Sequence, residues 1–229
     1  MSIKENIEKV RKNIALACAE SKRDPNDVLL LAVTKTRSAD EINEAIEAGI
    51  TDIAENRVQE LISKFDDVKP DVRWHLIGHL QTNKVKYIAD KVCMIHSVDT
   101  LKLAKEIDER CKKLSKVMDI LIEVNSGEEN KNGVPYSDAE RLIEEISKLS
   151  NVHISGLMTM APLGAEKDEL MGVFSRLKKL SVDIDAKKYD NVDMNVLSMG
   201  MSGDYYEAVL SGATIVRIGR TLFNQEEEK

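Results

Sequence analysis

Apolar residues recur at helical spacing at Ile3, Ile7, Val10, Ile14 and Cys18, so the chain opens on an amphipathic helix. The pattern predicts its end near Arg23–Asp24–Pro25, because proline cannot continue a helix. Val28-Leu-Leu-Leu-Ala-Val33 is apolar on both parities, as a strand covered on both faces must be. Ser38 caps a second helix that runs through Ala48 and stops at Gly49. The rhythm then repeats. Further strands are predicted near Thr51–Glu55, Arg73–Ile77, Met94–Val98, Ile120–Val124, Val152–Met158, Met194–Ser198 and Thr214–Ile218. Between them lie helical patterns at Val58–Phe65, Asn83–Ala89, Thr100–Leu114, Asp138–Leu149 and Glu166–Leu180, with a short one after Gly203. Regular alternation over 229 residues predicts an α/β fold: a closed parallel (β/α)₈ TIM-type barrel with an extra N-terminal helix, in one domain spanning 1–229. An open doubly wound sheet shares the alternation and is the alternative. The Glu226–Glu228 run reads as a solvated tail.

Charge and composition narrow the function. Lys and Arg total 33 against 40 Asp and Glu, a formal charge of −7, which argues against a general nucleic-acid binder. Aromatic residues are 4% of the chain, too few for a base-stacking platform. Cys18, Cys93 and Cys111 are scattered without CxxC spacing, which fits a reducing cytoplasm rather than a disulfide framework. The N-terminus has acidic residues among its lysines and no uninterrupted apolar stretch, so no signal peptide is expected. The longest apolar run is too short to span a bilayer. A soluble intracellular protein is expected.

Several residues are candidates for chemistry. On strand parity Lys35 shares a face with Leu29, Leu31 and Val33 at a strand's C-terminal end, where barrels build their sites. Burial there would make its cationic form costly and free the amine for Schiff-base chemistry, whereas a lysine snorkelling out of the strand end would do neither. Arg217 lies inside the apolar run Thr214–Ile218 and needs either a carboxylate partner or a ligand. Ser198-Met-Gly-Met-Ser-Gly-Asp204 and Gly219-Arg-Thr221 follow consecutive late strands, the position of phosphate cradles in barrels, with Ser202 able to cap the following helix. His75 and His79 have metal-pair spacing, but Gly78 marks a strand end and no third ligand is implied nearby, so no metal site is expected. His96 and His153 stand in no motif, and Met158, Met160, Met199 and Met201 read as space-filling.

Seven stretches, in order, resemble the pyridoxal phosphate homeostasis protein family, single-domain relatives of the alanine racemase barrel. They are Leu30-Leu-Ala-Val-Thr-Lys35, Ala54-Glu-Asn56, Trp74-His-Leu-Ile-Gly-His-Leu-Gln-Thr-Asn-Lys84, His96-Ser-Val-Asp99, Gly156-Leu-Met158, Leu197-Ser-Met-Gly-Met-Ser202 and Val216-Arg-Ile-Gly219. The resemblance implies pyridoxal 5′-phosphate (PLP) as an internal aldimine on Lys35, with Arg217 facing the pyridine nitrogen. It also implies that Ser202 and the backbone around Gly219 and Arg220 hold the phosphate. Ser198 and Met199 would line the same pocket, and Asn56 and His75 would approach the cofactor ring. Ala54 stands where the family usually has glycine.

The implied function is intracellular PLP homeostasis, holding PLP without efficient amino-acid turnover, with PLP-dependent apo-enzymes as the implied recipients. The protein would be a cytoplasmic monomer with no nucleic-acid or membrane partner. The alternatives are a PLP-dependent amino-acid racemase and a barrel enzyme acting on a phosphorylated metabolite without a cofactor. Racemisation needs an acid–base group on each face of the substrate carbon. In the resembling racemases the second group is a tyrosine of an added C-terminal domain, whereas this sequence ends at Lys229, soon after its last predicted strand. An arginine at the ring nitrogen also makes the ring a poor electron sink.

Overall fold

Ser2 and Ser38 each open a helix with a capping box, accepting from the N3 backbone while Glu5 and Glu41 reach back to the cap N–H. Such local signals recur through the computed structural model, which describes residues 2–128 and 132–223. Helix α1 (Ile3–Glu20) precedes β1 (Leu29–Val33), α2 (Ala39–Glu47), β2 (Asp52–Glu55), α3 (Val58–Lys64) and β3 (Arg73–Leu76). There follow a 3₁₀ segment (Thr82–Tyr87), β4 (Met94–Val98), α4 (Leu101–Lys113), β5 (Met118–Glu123) and α5 (Tyr136–Ile146). The chain continues with β6 (Val152–Met158), α6 (Lys167–Asp185), β7 (Val192–Ser198), α7 (Tyr205–Leu210), β8 (Ile215–Ile218) and α8 (Arg220–Phe223). The eight strands are all parallel and close into a barrel in chain order, β8 pairing back onto β1 with Leu31 opposite Arg217. The barrel is therefore the correct choice between the two alternations. The Glu226–Glu228 run lies outside the described residues. No helix among the described residues is long and apolar enough to cross a membrane.

Strand parity divides the core. Leu30 and Ala32 pack outward with the helices, in the layer that holds Ile7, Val10, Ile42 and Phe174. Leu31, Ala54 and Ile215 pack inward with Leu29, Ile77, Met94 and Val196. Ala54, at the family's usual glycine position, is an ordinary β2 residue whose methyl fills this inner cluster. Helix α1 runs beside α7, α8 and α2, with Asn6 Nδ2 donating to the Leu222 carbonyl at 3.1 Å and Asn13 Nδ2 to the Tyr205 hydroxyl at 2.9 Å. It thereby braces the two short helices that follow β7 and β8.

The register of β6 breaks between Ile154 and Gly156 against both neighbours. Gly156 has φ +154°, and a Cβ there would sit 1.9 Å from the Val196 carbonyl oxygen. This bulge lets β6 and β7 approach and carries the strand on to Thr159, whose carbonyl is used in the site below. Gly156→Ala is therefore expected to destabilise the protein by about 3 kcal/mol through overpacking and backbone strain. Urea unfolding measures this, and a loss within about 0.5 kcal/mol of zero would contradict the close approach.

Candidate functional site at the C-terminal mouth of the barrel

Thr34 is fully buried just past β1, its backbone N–H donating to the Ala54 carbonyl and its hydroxyl to Glu55 Oε1 at 2.7 Å. Its carbonyl accepts from Lys64 Nζ at 3.0 Å and from the Arg37 N–H, so the chain turns here. Thr36, at φ +65°, donates its N–H to Glu60 Oε1 at 2.5 Å, which holds a β-branched residue in the left-handed region. Lys64 ties the cluster together, 2.9 Å from Glu55 and 3.2 Å from Glu60. Burial pushes the Glu55 carboxyl up against the pull of Lys64 and Thr34.

Lys35 sits between these two anchored threonines. The strand-parity reading of it fails: β1 ends at Val33, and Lys35 is an exposed turn residue. The turn fixes where its side chain starts.

Arg217 is the opposite case. It is 4% exposed, with Nη1 donating to Ser198 Oγ at 2.8 Å and Nη2 to the Thr159 carbonyl at 2.9 Å. Burial pushes its pKa down to about 10, with the charges of Asp204 and Glu123 working the other way, so it stays cationic at neutral pH. Two of its five N–H donors are engaged by these bonds.

Asn56, just past β2, has a buried Oδ1 with no hydrogen-bond partner among the described residues. Ser202 does not cap α7: Asp204 is the N-cap, and the Ser202 hydroxyl instead accepts from the Thr221 N–H at 3.4 Å. It therefore faces the start of α8, where Gly219 and the exposed Arg220 lie. A Cβ on Gly219 would meet the Val33 carbonyl oxygen at 3.1 Å, while one on Gly203 would meet nothing within 4 Å. The late loops thus combine a close approach to β1 with open space above it.

Three other candidates are placed differently from expectation. Met199 is fully buried in the layer between barrel and helices, so its side chain does not line the mouth. Ser198 Oγ is buried beneath Arg217 and also meets His96 Nδ1 at 2.9 Å. His75 pairs in register with Ala54, two residues below Asn56, and lies inside the barrel rather than at its mouth. Its Nε2 is 2.9 Å from Asp52 Oδ1 and its Nδ1 2.9 Å from His96 Nε2.

Around His75 gather Asp52 and Cys93, which gives this histidine the neighbours that local spacing did not suggest; their donor atoms lie within 4.8 Å of one another. The set could ligate a metal by residue type, but the Asp52 carboxylate is already saturated. Oδ1 receives Arg73 Nε and His75 Nε2, each at 2.9 Å, and Oδ2 receives Arg73 Nη2 at 2.9 Å and the Thr51 hydroxyl at 2.7 Å. Burial also pushes the Cys93 thiol up to about 11. A cavity of about 540 Å³ opens beside these residues, at the end of the barrel opposite Lys35.

The whole chain bears these residues in a known framework. The family model described as alanine racemase, N-terminal domain, matches residues 3–226. A pyridoxal phosphate homeostasis protein of Aquifex aeolicus is 42% identical over 229 residues, covering 99% of this chain and 100% of its own. The chain belongs to the pyridoxal phosphate homeostasis protein family. Among solved structures, a protein from Bifidobacterium adolescentis described as unknown superposes with TM-score 0.92 at 34% identity, covering 96% of this chain and 94% of its own. PipY of Synechococcus elongatus, solved with PLP bound, superposes with TM-score 0.87 at 33% identity, covering 97% of this chain and 100% of its own.

The mouth of the barrel fits the family's cofactor. It offers an amine on a pinned turn, a buried guanidinium with donors to spare and an unpartnered buried carbonyl oxygen on Asn56. Sequence reasoning missed Glu123, which ends β5 and is 3% exposed. Burial first, and then the charge of Asp99, push its carboxyl up to about 7 although Arg217 opposes the shift. In the cofactor-free protein, native Glu123 therefore keeps a proton that the unfolded chain has lost between pH ~4.3 and about 7. Stability should fall as pH rises through that window. Glu123→Gln should remove the loss, becoming more stable than the parent by about 3 kcal/mol at pH 8 and nearly equal to it at pH 4. Denaturant unfolding across pH checks this, and identical pH slopes for the two proteins would contradict it.

Proposed function

We propose that this protein binds pyridoxal 5′-phosphate at the C-terminal mouth of the barrel, holds it on Lys35 as a Schiff base, and releases it without efficient turnover of amino acids. The observation that carries the reading is the contrast between the two basic residues. Arg217 is buried and held from two sides, whereas Lys35 is exposed on an anchored turn. A fixed donor reads the ring nitrogen, and an accessible amine takes the aldehyde. The amine adds to the aldehyde carbon and water leaves. Phosphate and ring contacts hold the aldehyde beside Nζ, so bond formation is favoured by proximity rather than by burial of the lysine. The Ser202 hydroxyl and the backbone around Gly219 and Arg220 hold the phosphate, and Asn56 meets the ring with its unpartnered oxygen. Gly219 leaves room for the cradle to close against β1.

Bound PLP supplies an electrophilic aldehyde and, in enzymes, an electron sink. Here the sink is weak. A guanidinium that stays protonated donates to the ring nitrogen and leaves that nitrogen without a proton of its own. An exposed Lys35 also leaves the bond open to water and to incoming amines, as a reservoir requires. The chain acts as one domain and a monomer in the cytoplasm, where its three cysteines stay free, and passes PLP to apo-enzymes.

The racemase reading has one observation in its favour, the buried Glu123 carboxyl titrating near neutrality, which could serve as a second base. Incubating loaded protein with L- or D-alanine in deuterium oxide separates the two. The proposal expects a change in the absorption spectrum as the amino acid competes with Lys35, with negligible deuterium at Cα and no racemisation by chiral analysis. Steady racemisation at ~1 s⁻¹ or faster would overturn the carrier reading.

A further inference from the structure

Five side chains cross the barrel interior in one unbroken chain. Arg217 Nη1 lies 2.8 Å from Ser198 Oγ, which lies 2.9 Å from His96 Nδ1. His96 Nε2 lies 2.9 Å from His75 Nδ1, and His75 Nε2 lies 2.9 Å from Asp52 Oδ1. All five residues are buried, with Asp52, His96 and Ser198 at 0% exposure. They come in turn from β8, β7, β4, β3 and β2, so the path runs from beneath the mouth to the first residue of β2 at the opposite end. That end reaches the 540 Å³ cavity, which Asp52 and His75 line.

The two ends fix the direction of the outermost bonds. A guanidinium can only donate, so Ser198 Oγ accepts from Arg217. At the other end, burial works against the charge of Asp52, but hydrogen bonds from His75, Arg73 and Thr51 outweigh it and hold the carboxyl below its usual range. An ionised carboxylate can only accept, so His75 Nε2 carries a proton. Burial, the largest cause, pushes the His96 imidazole well below its usual range, so His96 is neutral. The relay requires one proton on each imidazole: His75 Nδ1 then accepts from His96 Nε2–H, and His96 Nδ1 accepts from the Ser198 hydroxyl. Every bond then points the same way, from the cation to the anion, and each polarises the next.

We propose that Ser198, His96, His75 and Asp52 form a polarised relay that fixes the orientation of Arg217, making His96, His75 and Asp52 positioning residues for the cofactor's ring nitrogen. The relay holds the Ser198 hydroxyl with its lone pairs toward the guanidinium, so that Nη1 is aimed from below. Arg73 secures the anionic end from outside, with two 2.9 Å bonds to Asp52. The relay stands on the side-chain geometry and the ionisation of Asp52 and Arg217, while its consequence for the cofactor rests on the PLP reading above.

Asp52→Asn tests it, because a carboxamide can donate where the carboxylate only accepts. A donating Asn side chain would push the His75 proton to Nδ1, the His96 proton to Nδ1, and leave Ser198 accepting from both sides. Nitrogen-15 NMR of labelled histidines in the cofactor-free parent comes first and needs no variant. Neutral rings with the proton on Nε2 at both His75 and His96 are expected, and an Nδ1–H tautomer or an imidazolium at either would overturn the relay. PLP binding is then measured for the parent, Asp52→Asn, His96→Leu and the double variant. The same is done with the 1-deaza analogue of PLP, which has carbon where the ring nitrogen stands.

Each single change should weaken PLP by roughly 3- to 30-fold, leave the analogue almost unaffected, and add little to the other in the double variant. Equal weakening for both ligands would mean that these residues merely support the fold, and full additivity would mean that no chain connects them. Either result overturns the proposal. Failure of the parent to bind PLP would sink the functional reading and leave the relay to be judged by the tautomers.

Discussion

A guanidinium inside a parallel barrel must find acceptors on every side not reserved for a ligand, and the polar interior of this protein is organised around that requirement. Ser198 and the Thr159 carbonyl take two N–H groups of Arg217, and the charges of Asp204 and Glu123 offset part of its desolvation. The Gly200 carbonyl accepts from the Arg217 backbone N–H, which ties the same residue to the late loop. The β6 bulge at Gly156 belongs to this arrangement, because it lets the strand run on to Thr159 at the height where the arginine needs it. An inward column that would ordinarily hold branched apolar residues holds His75, His96 and Ser198 instead, leaving a small apolar cluster around Leu31 and Ala54.

The two basic residues are held by different physics, and the difference bears on function. Arg217 is immobilised by burial and by directed hydrogen bonds. Lys35 is constrained only through its neighbours, Thr34 and Thr36, which Glu55, Glu60 and Lys64 hold in a turn that includes a strained φ of +65°. A pocket with a rigid floor and an accessible covalent anchor at its rim suits a ligand that must be both kept and surrendered. Tighter enclosure of the amine would favour retention over exchange.

The barrel was legible because each strand carries its own signal. The expected limits of Met94–Val98 and Val152–Met158 coincide with β4 and β6, and β8 begins one residue later than its apolar run. The spacing over Asn83–Ala89 predicts a helix, whereas the chain there forms a 3₁₀ segment over Thr82–Tyr87, a distinction too fine for hydrophobic spacing. Lys35 was misread because parity was carried two residues past the end of β1. The turn that ends the strand is set by Glu60 and Lys64 on α3, so nothing in the local sequence announced it. His96 looked like an ordinary histidine because no motif surrounds it, although its parity with Met94 already placed it on the inner face. Asp52 and Arg217 are far apart in sequence, and only barrel closure makes them the two ends of one hydrogen-bonded path.

The central claim is that an exposed lysine beside a buried, oriented arginine holds pyridoxal 5′-phosphate. Loading the protein with PLP, reducing it with borohydride and mapping the modified peptide tests this most directly. The account predicts one stable phosphopyridoxyl adduct, on Lys35, and none when the 35 position is changed by Lys35→Ala. An adduct of similar yield on another lysine, or unchanged labelling in that variant, would contradict it.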